Sequence, residues 1–181
     1  MGLYDRILVP TDGSEGGRDA VRHAAALAAE HGATLVGVYV LNSAGYAALP
    51  TETNWEGLDQ VLRSDGEAAL ESVRGIAAER GVDVETRLLE GTPSREIVEF
   101  AERDGCDLIV MSTHGRGGID RLLLGSVAEK VVRAANVPVT TVRVGCEEVP
   151  GCDGEPATAS GEADVGVDAE PGSEASAGSD A

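Results

Sequence analysis

Two stretches of the chain carry residues whose types and spacing suit chemistry. The first is Val9-Pro10-Thr11-Asp12-Gly13-Ser14-Glu15. A carboxylate just beyond an apolar run, next to a glycine turn, can accept hydrogen bonds from the hydroxyls or base of a ligand. The same Asp12, with Glu15 three residues on, also fits a capping box at the start of a helix. The second stretch is Met111-Ser112-Thr113-His114-Gly115-Arg116-Gly117-Gly118, continuing through Leu124 to Gly125-Ser126-Val127-Ala128-Glu129. Closely spaced glycines let the backbone turn back and approach a ligand. Gly125-Ser126 then opens a helix, whose unpaired N–H groups and dipole favour an anion. Ser126 and Glu129 fit a capping box as well, but a cap needs neither the upstream glycines nor a glycine before it. Together these features suit phosphate recognition by backbone amides. The stretch is not a Walker A loop, because the Gly-Lys-Ser/Thr ending is missing, and its glycine spacing is not that of a dinucleotide fingerprint.

The elements that must position these residues alternate along the chain. Ile7-Leu8-Val9 reads as a strand ended by Pro10 and the turn at Thr11-Asp12-Gly13. A helix runs on to Glu30, with Val21, Ala24, Ala25 and Ala28 on one face, and His31-Gly32 stops it. Thr34 to Leu41 is a second strand. A loop holding Gly45, Pro50 and Trp55 precedes a long helix reaching Arg80, on which Ala69, Val73, Ile76 and Ala77 recur at helical spacing and which Gly81 closes. Val82 to Leu89 is the third strand. Thr92 caps the next helix, with Pro93 at its first position. Asp107 to Met111 is a buried strand, Ser126 to Ala135 a helix and Pro138 to Val144 the last strand. Strictly alternating strands and helices imply an α/β fold, a five-stranded parallel sheet with helices on both faces. Ligands of such sheets bind beyond the carboxyl ends of the strands, where the strand order reverses. Both chemistry-bearing stretches follow a strand, as that rule requires.

Charge divides the chain. Of 181 residues, 32 are acidic and 14 basic, for a net charge of −18. Residues 1–145 hold 22 acids and 14 bases, a net −8, whereas residues 146–181 hold ten acids and no base. The second segment also lacks Phe, Trp, Tyr, Leu, Ile and Met, so it cannot bury enough apolar surface to offset about 1–2 kcal/mol of backbone entropy per residue. It reads as a disordered acidic tail, with an interaction arm as the functional alternative. The domain is therefore placed at 1–145 and the low-complexity tail at 146–181. The acidic balance excludes a general nucleic-acid binder and disfavours anionic membranes. Only Lys130 among the bases is a lysine, and that pattern suggests a salt-adapted, halophilic surface whose self-repulsion is screened. Cys106, Cys146 and Cys152 form neither a disulfide framework nor a close metal-ligand pair. With no visible signal peptide or apolar run of membrane length, the expected compartment is the cytoplasm.

With these motifs in place, residues 3–145 resemble the universal stress protein family of the UspA type. The matching elements are Ile7 to Ser14, Gly91-Thr92-Pro93, Asp107 to Arg116, and Gly125-Ser126 followed by Asn136-Val137-Pro138-Val139. The family's ATP-binding branch carries G-x2-G-x9-G-S/T. Gly115, nine intervening residues and Gly125-Ser126 fit it, while Ser112 stands where the first glycine would be. The resemblance implies a Rossmann-like, adenine nucleotide alpha hydrolase-like sheet of order 3-2-1-4-5. It also implies that Pro10, Thr11 and Asp12 hold the adenine and ribose side. Val40 would pack on the base, and Met111 and Ser112 would line the pocket. Phosphate contacts would come from Gly115, Gly125, Ser126, Val127 and Ala128, and the cofactor would be ATP, AMP or ADP with magnesium or manganese. Charge and loop position add Arg116 and Arg121. His114, His23 and His31 are read as packing or surface residues, and no catalytic residue or protein metal ligand is assigned.

The function so implied is that of a dimeric, nucleotide-binding regulator of the stress response. Its homodimer would form through strand 138–144, whose Val139-Thr140-Thr141-Val142 carries no charge. The alternatives are a slow ATPase or self-phosphorylating enzyme, for which no base is evident, and a dimeric interaction module without nucleotide, which Ser112 keeps open.

Overall fold

A computed structural model describes residues 2–42, 55–113, 115 and 124–143, with only the backbone described for 55–59. Nine elements follow in order: β1 (Arg6–Pro10), α1 (Glu15–His31), β2 (Thr34–Leu41), α2 (Trp55–Glu79), β3 (Val84–Glu90), α3 (Pro93–Arg103), β4 (Leu108–Ser112), α4 (Ser126–Ala134) and β5 (Val139–Val142). All lie within one compact unit, Met1–Glu148. The sheet is parallel throughout, in the order β3-β2-β1-β4-β5. The order reverses between β1 and β4, so the crevice at their carboxyl ends is the place where this topology receives ligands.

Alternation along the inner strands sorts the core into two layers. Ile7, Val9, Leu35, Leu108 and Val110 pack against α1 and α2 through Val21, Ala24, Ala25, Ala28, Val73 and Ala77. Leu8, Val36, Val38, Ile109 and Met111 point the other way, against Ile97, Phe100 and Ala101 of α3 and Ala128 and Val131 of α4. The small residues of α1 let that helix lie close on the sheet. Gly37 does the same for α2, because a Cβ there would stand 2.8 Å from Val73 Cγ1.

Several boundaries depart from the sequence reading for local reasons. Pro10 ends the first strand from within it, paired with Val38 as its last residue. Thr11 N donates to Val38 O, so by alternation the N–H that proline lacks falls on the β4 side, and the β1–β4 pairing involves only Ile7 and Leu8. The missing donor therefore costs the ladder nothing. Trp55 opens α2 instead of lying in the loop before it. β3 begins at Val84, two residues late, because Val82 N turns back to Ala77 O and finishes the helix. β5 is trimmed to Val139–Val142. Thr92 occupies the expected cap position of α3 but makes no side-chain capping bond. α1 ends as expected, with Gly32 left-handed at φ 67° and its N–H on Ala28 O.

Candidate functional site

The turn after β1 is built by three short side chains. Gly13, at φ 78°, reverses the chain, and Thr11 Oγ1 accepts its N–H at 3.2 Å. Asp12 Oδ1 accepts Ser14 N at 3.0 Å and Ser14 Oγ at 2.5 Å, while Ser14 Oγ accepts Gly17 N at 3.1 Å. The cap of α1 is thus Ser14, and the Asp12–Glu15 capping box expected from spacing does not form. The left-handed glycine delays the helix, so that Asp12 makes an Asx turn instead. Ser14 and Gly17 are the residues that sequence reasoning passed over. A cap residue followed three positions later by glycine was the available signal. A Cβ on Gly17 would lie 3.0 Å from Asp12 Oδ1, so the glycine keeps space around the carboxylate.

The second stretch closes onto the first. Gly125 N donates to Thr113 O at 2.7 Å, joining the start of α4 to the end of β4, and Thr113 N donates to Val142 O. Gly115 comes so near Asp12 that a Cβ there would stand 2.6 Å from Oδ2. α4 starts at Ser126 with Gly125 as its cap and with no side-chain capping bond. The Ser126–Glu129 box is therefore not made either. Ser126 is already inside the helix, and the Glu129 carboxylate turns to Arg133 at 2.7 Å. Among the described residues no side chain therefore caps the first turn of α4, the arrangement that favours an anion.

The apolar part of the site lies on the α3–α4 face. Met111 is buried in that core layer, and Val40, Leu124 and Val127 pack against the same layer half-buried. Ala128 is also buried, so it can meet a ligand only through its backbone. Pro10, Asp12 and Ser112 are half-buried at the ends of β1 and β4, and Gly115 and Ser126 are exposed. At the carboxyl ends of β1 and β4 the structure thus sets Gly115 against Asp12 and Gly125 against Thr113, with Pro10, Met111 and Ser112 at the strand ends. Thr11 differs, because its side chain lines a cavity between α1 and α2 on the other face. His114, Arg116, Arg121, Cys146, Cys152 and the acidic tail lie outside the described residues. His23 is exposed, and His31 Nδ1 accepts Leu3 N at 3.3 Å beside the Tyr4 ring. Among the described residues no group of three His, Cys, Asp or Glu is placed to hold a metal ion, and no helix is long and apolar enough to cross a membrane.

Comparison with known proteins agrees with this fold. The profile of the Universal stress protein family matches residues 3–143. Universal stress protein MJ0531 of Methanocaldococcus jannaschii is 45% identical over 141 residues, covering 78% of this chain and 83% of that protein. A universal stress protein from Archaeoglobus fulgidus, solved in complex with dAMP, superposes with a TM-score of 0.58 at 27% identity, over 77% of this chain and 98% of the other. Another, solved in complex with cAMP, gives a TM-score of 0.58 at 29% identity, over 77% and 97% of the two chains.

Proposed function

We propose, for a chain that belongs to the universal stress protein family, that the β1–β4 crevice binds an adenine nucleotide and that its occupancy governs contacts with partners. The observation that carries this reading is the meeting of a side-chain-uncapped helix terminus with a hydrogen-bonding carboxylate, Gly125 beside Thr113 and Gly115 beside Asp12. The α4 amides suit phosphate, Asp12 Oδ2 suits the ribose hydroxyls, and Val40 with Met111 offers an apolar seat for the base. That two related proteins were solved with dAMP and cAMP supports the ligand class. ATP, ADP and AMP all present this chemistry. Magnesium or manganese, if it accompanies the phosphates, would be held by them and water rather than by a protein cluster. Ser112, half-buried at the end of β4, leaves the neighbouring Gly115 and Gly125 amides to do the phosphate work.

β5 supports the homodimer expected through 138–144. Its Val139-Thr140-Thr141-Val142 carries no charge and stands last in the sheet, with β4 on one side. We also read residues 146–181 as an acidic tail outside the nucleotide domain, and the acid-rich, lysine-poor composition as adaptation to concentrated salt in the cytoplasm.

The test is to denature freshly purified protein, identify any released nucleotide by mass spectrometry, and titrate the stripped protein with ATP, AMP and GTP. Micromolar binding corresponds to about −8 kcal/mol, within reach of a few charged hydrogen bonds of about 1.5–3 kcal/mol each. Affinity should hold or improve from low to molar salt, because the repulsion between ATP and an acidic domain is long-ranged and screened. Absence of binding at millimolar nucleotide overturns the proposal in favour of an interaction module.

A further inference from the structure

A second cavity, of about 180 Å³, lies between α1 and α2, lined by Thr11 and Gly13 of the first turn, Arg18 and Val21 of α1, and Asp65, Ala68, Ala69, Ser72 and Val73 of α2. It opens on the face of β1 opposite Val40 and Met111, so the nucleotide crevice does not account for it. The α2 residues recur at helical spacing and are small where they face α1, which leaves the space unfilled.

Three of its polar groups, Thr11, Arg18 and Ser72, can donate hydrogen bonds. Thr11 is 8% exposed, and its Oγ1 accepts Gly13 N–H at 3.2 Å, but among the described residues nothing accepts its hydroxyl hydrogen. Among the described residues no hydrogen bond or ion pair of the Arg18 guanidinium is seen, whereas Arg22, Arg74, Arg95 and Arg133 each hold an acid three or four residues away on their own helix. Among the described residues Arg80 shares this lack of an acid, but of the two only Arg18 lines the cavity. Ser72, half-buried, adds another hydroxyl without a described partner. The Thr11 hydroxyl can still donate, and a guanidinium in the same lining matches a carboxylate. The remaining wall, Val21, Ala68, Ala69 and Val73, is aliphatic. The volume falls below the range of about 300–1,000 Å³ typical for drug-sized ligands. Asp65 on the rim disfavours ligands with a second negative charge.

We propose that this cavity binds a small aliphatic monocarboxylate, its carboxylate held by Arg18, Thr11 and Ser72 and its alkyl group lying on Val21, Ala69 and Val73. Because Thr11 and Gly13 also build the turn that carries Asp12, occupancy here acts on the turn from the opposite face. The site does not depend on the nucleotide reading.

The probe is sodium isobutyrate, titrated into the full chain without nucleotide and followed by amide chemical shifts, with sodium chloride matching ionic strength and isobutyramide as the neutral isostere. Saturable shifts confined to Thr11, Gly13, Ser72 and their neighbours are expected with isobutyrate, and weaker binding with the amide. Arg18→Gln should lower affinity about tenfold or more. Ala68→Leu, at an exposed helical position on the cavity wall, should abolish binding while leaving the melting temperature near that of the parent. Failure of isobutyrate to saturate these shifts overturns the proposal. So does equal binding of the amide, or indifference of the affinity to both substitutions.

Discussion

At the amino end of the sheet, Arg6, Glu85, Asp107 and Cys106 engage one another and the backbone, whereas at the carboxyl end Asp12 is surrounded by glycines and hydroxyls. Asp107 Oδ2 accepts the N–H groups of both Asp5 and Arg6 at 2.9 Å, and Asp107 N donates to Arg6 O. Arg6 reaches across β2 to Glu85 with two hydrogen bonds, at 3.1 and 3.3 Å. Each partner shifts the other, raising the guanidinium pKa and lowering that of the carboxyl. Asp12, by contrast, uses Oδ1 on Ser14 and turns Oδ2 toward Gly115, where a Cβ would stand only 2.6 Å away. Carboxylates at the two ends of parallel strands thus do different work. One stitches the starts of β1 and β4 together, and the other is oriented by its own turn while the strands part beside it.

The largest expected effect comes from exchanging the insult between the two ends. Asp12→Asn keeps an acceptor for Ser14 but replaces Oδ2 with a donor. Calorimetric titration should show adenine-nucleotide affinity falling about tenfold to a hundredfold, as expected for loss of a charged hydrogen bond, with chemical stability near the parent. Asp107→Ala should do the reverse. It strips two backbone N–H groups of their acceptor, and urea unfolding should report a loss of about 2 kcal/mol, with nucleotide affinity unchanged in the fraction that stays folded. If both variants lose stability and affinity together, the two ends are not separable and the comparison fails.

How much of this contrast is legible in the sequence depends on the range of the interactions. The alternation of strands and helices, the aliphatic face of α1 and the position of Asp12 after a strand are local patterns, and the fold class follows from them. The pairing of Arg6 with Glu85 joins residues 79 apart, and Asp107 lies 102 residues from Asp5, so nothing in the spacing reveals either. The capping boxes failed for the opposite reason. Asp12–Glu15 and Ser126–Glu129 satisfy a local rule, but Gly13 in a left-handed conformation and Gly125 as the actual cap shift each helix start by one or two residues. Those shifts are what leave Asp12 Oδ2 directed at Gly115 and α4 without a side-chain cap among the described residues. The resemblance to universal stress proteins points to the crevice proposed above as the nucleotide site, while the local capping rule assigned its polar atoms to partners other than those the structure shows.

A smaller effect is expected from Gly115→Ala. Its Cβ would stand 2.6 Å from Asp12 Oδ2, so either the loop or the carboxylate must move. Ser14 holds the other oxygen in place, which resists rotation of the carboxylate. The position is exposed, so thermal unfolding should change little while nucleotide affinity falls about tenfold, less than for Asp12→Asn because the acceptor itself survives. Unchanged affinity would mean that the ligand does not pass between Gly115 and Asp12, and would move the ribose subsite elsewhere in the crevice.

The smallest effect probes the amino end through its thiol. Cys106 is buried just before β4, and burial pushes its thiol from an ordinary value of 9.0 up to about 11, although the Arg6 guanidinium pulls in the opposite direction. The folded protein therefore holds the thiol neutral more firmly than the unfolded chain does. A group whose folded pKa is raised contributes stability that is complete below its unfolded pKa and lost as pH rises through its folded pKa. The window thus runs from about 9 to about 11. Melting temperatures of the parent should fall more steeply across that window than those of Cys106→Ala, whose small cavity lowers stability equally at every pH. The difference between the two curves isolates the thiol from every other group that titrates there. Parallel curves would mean that Arg6 stabilises the thiolate as strongly as burial opposes it. The guanidinium would then serve Cys106 as well as Glu85, and the amino end would hold a latent anion site of its own.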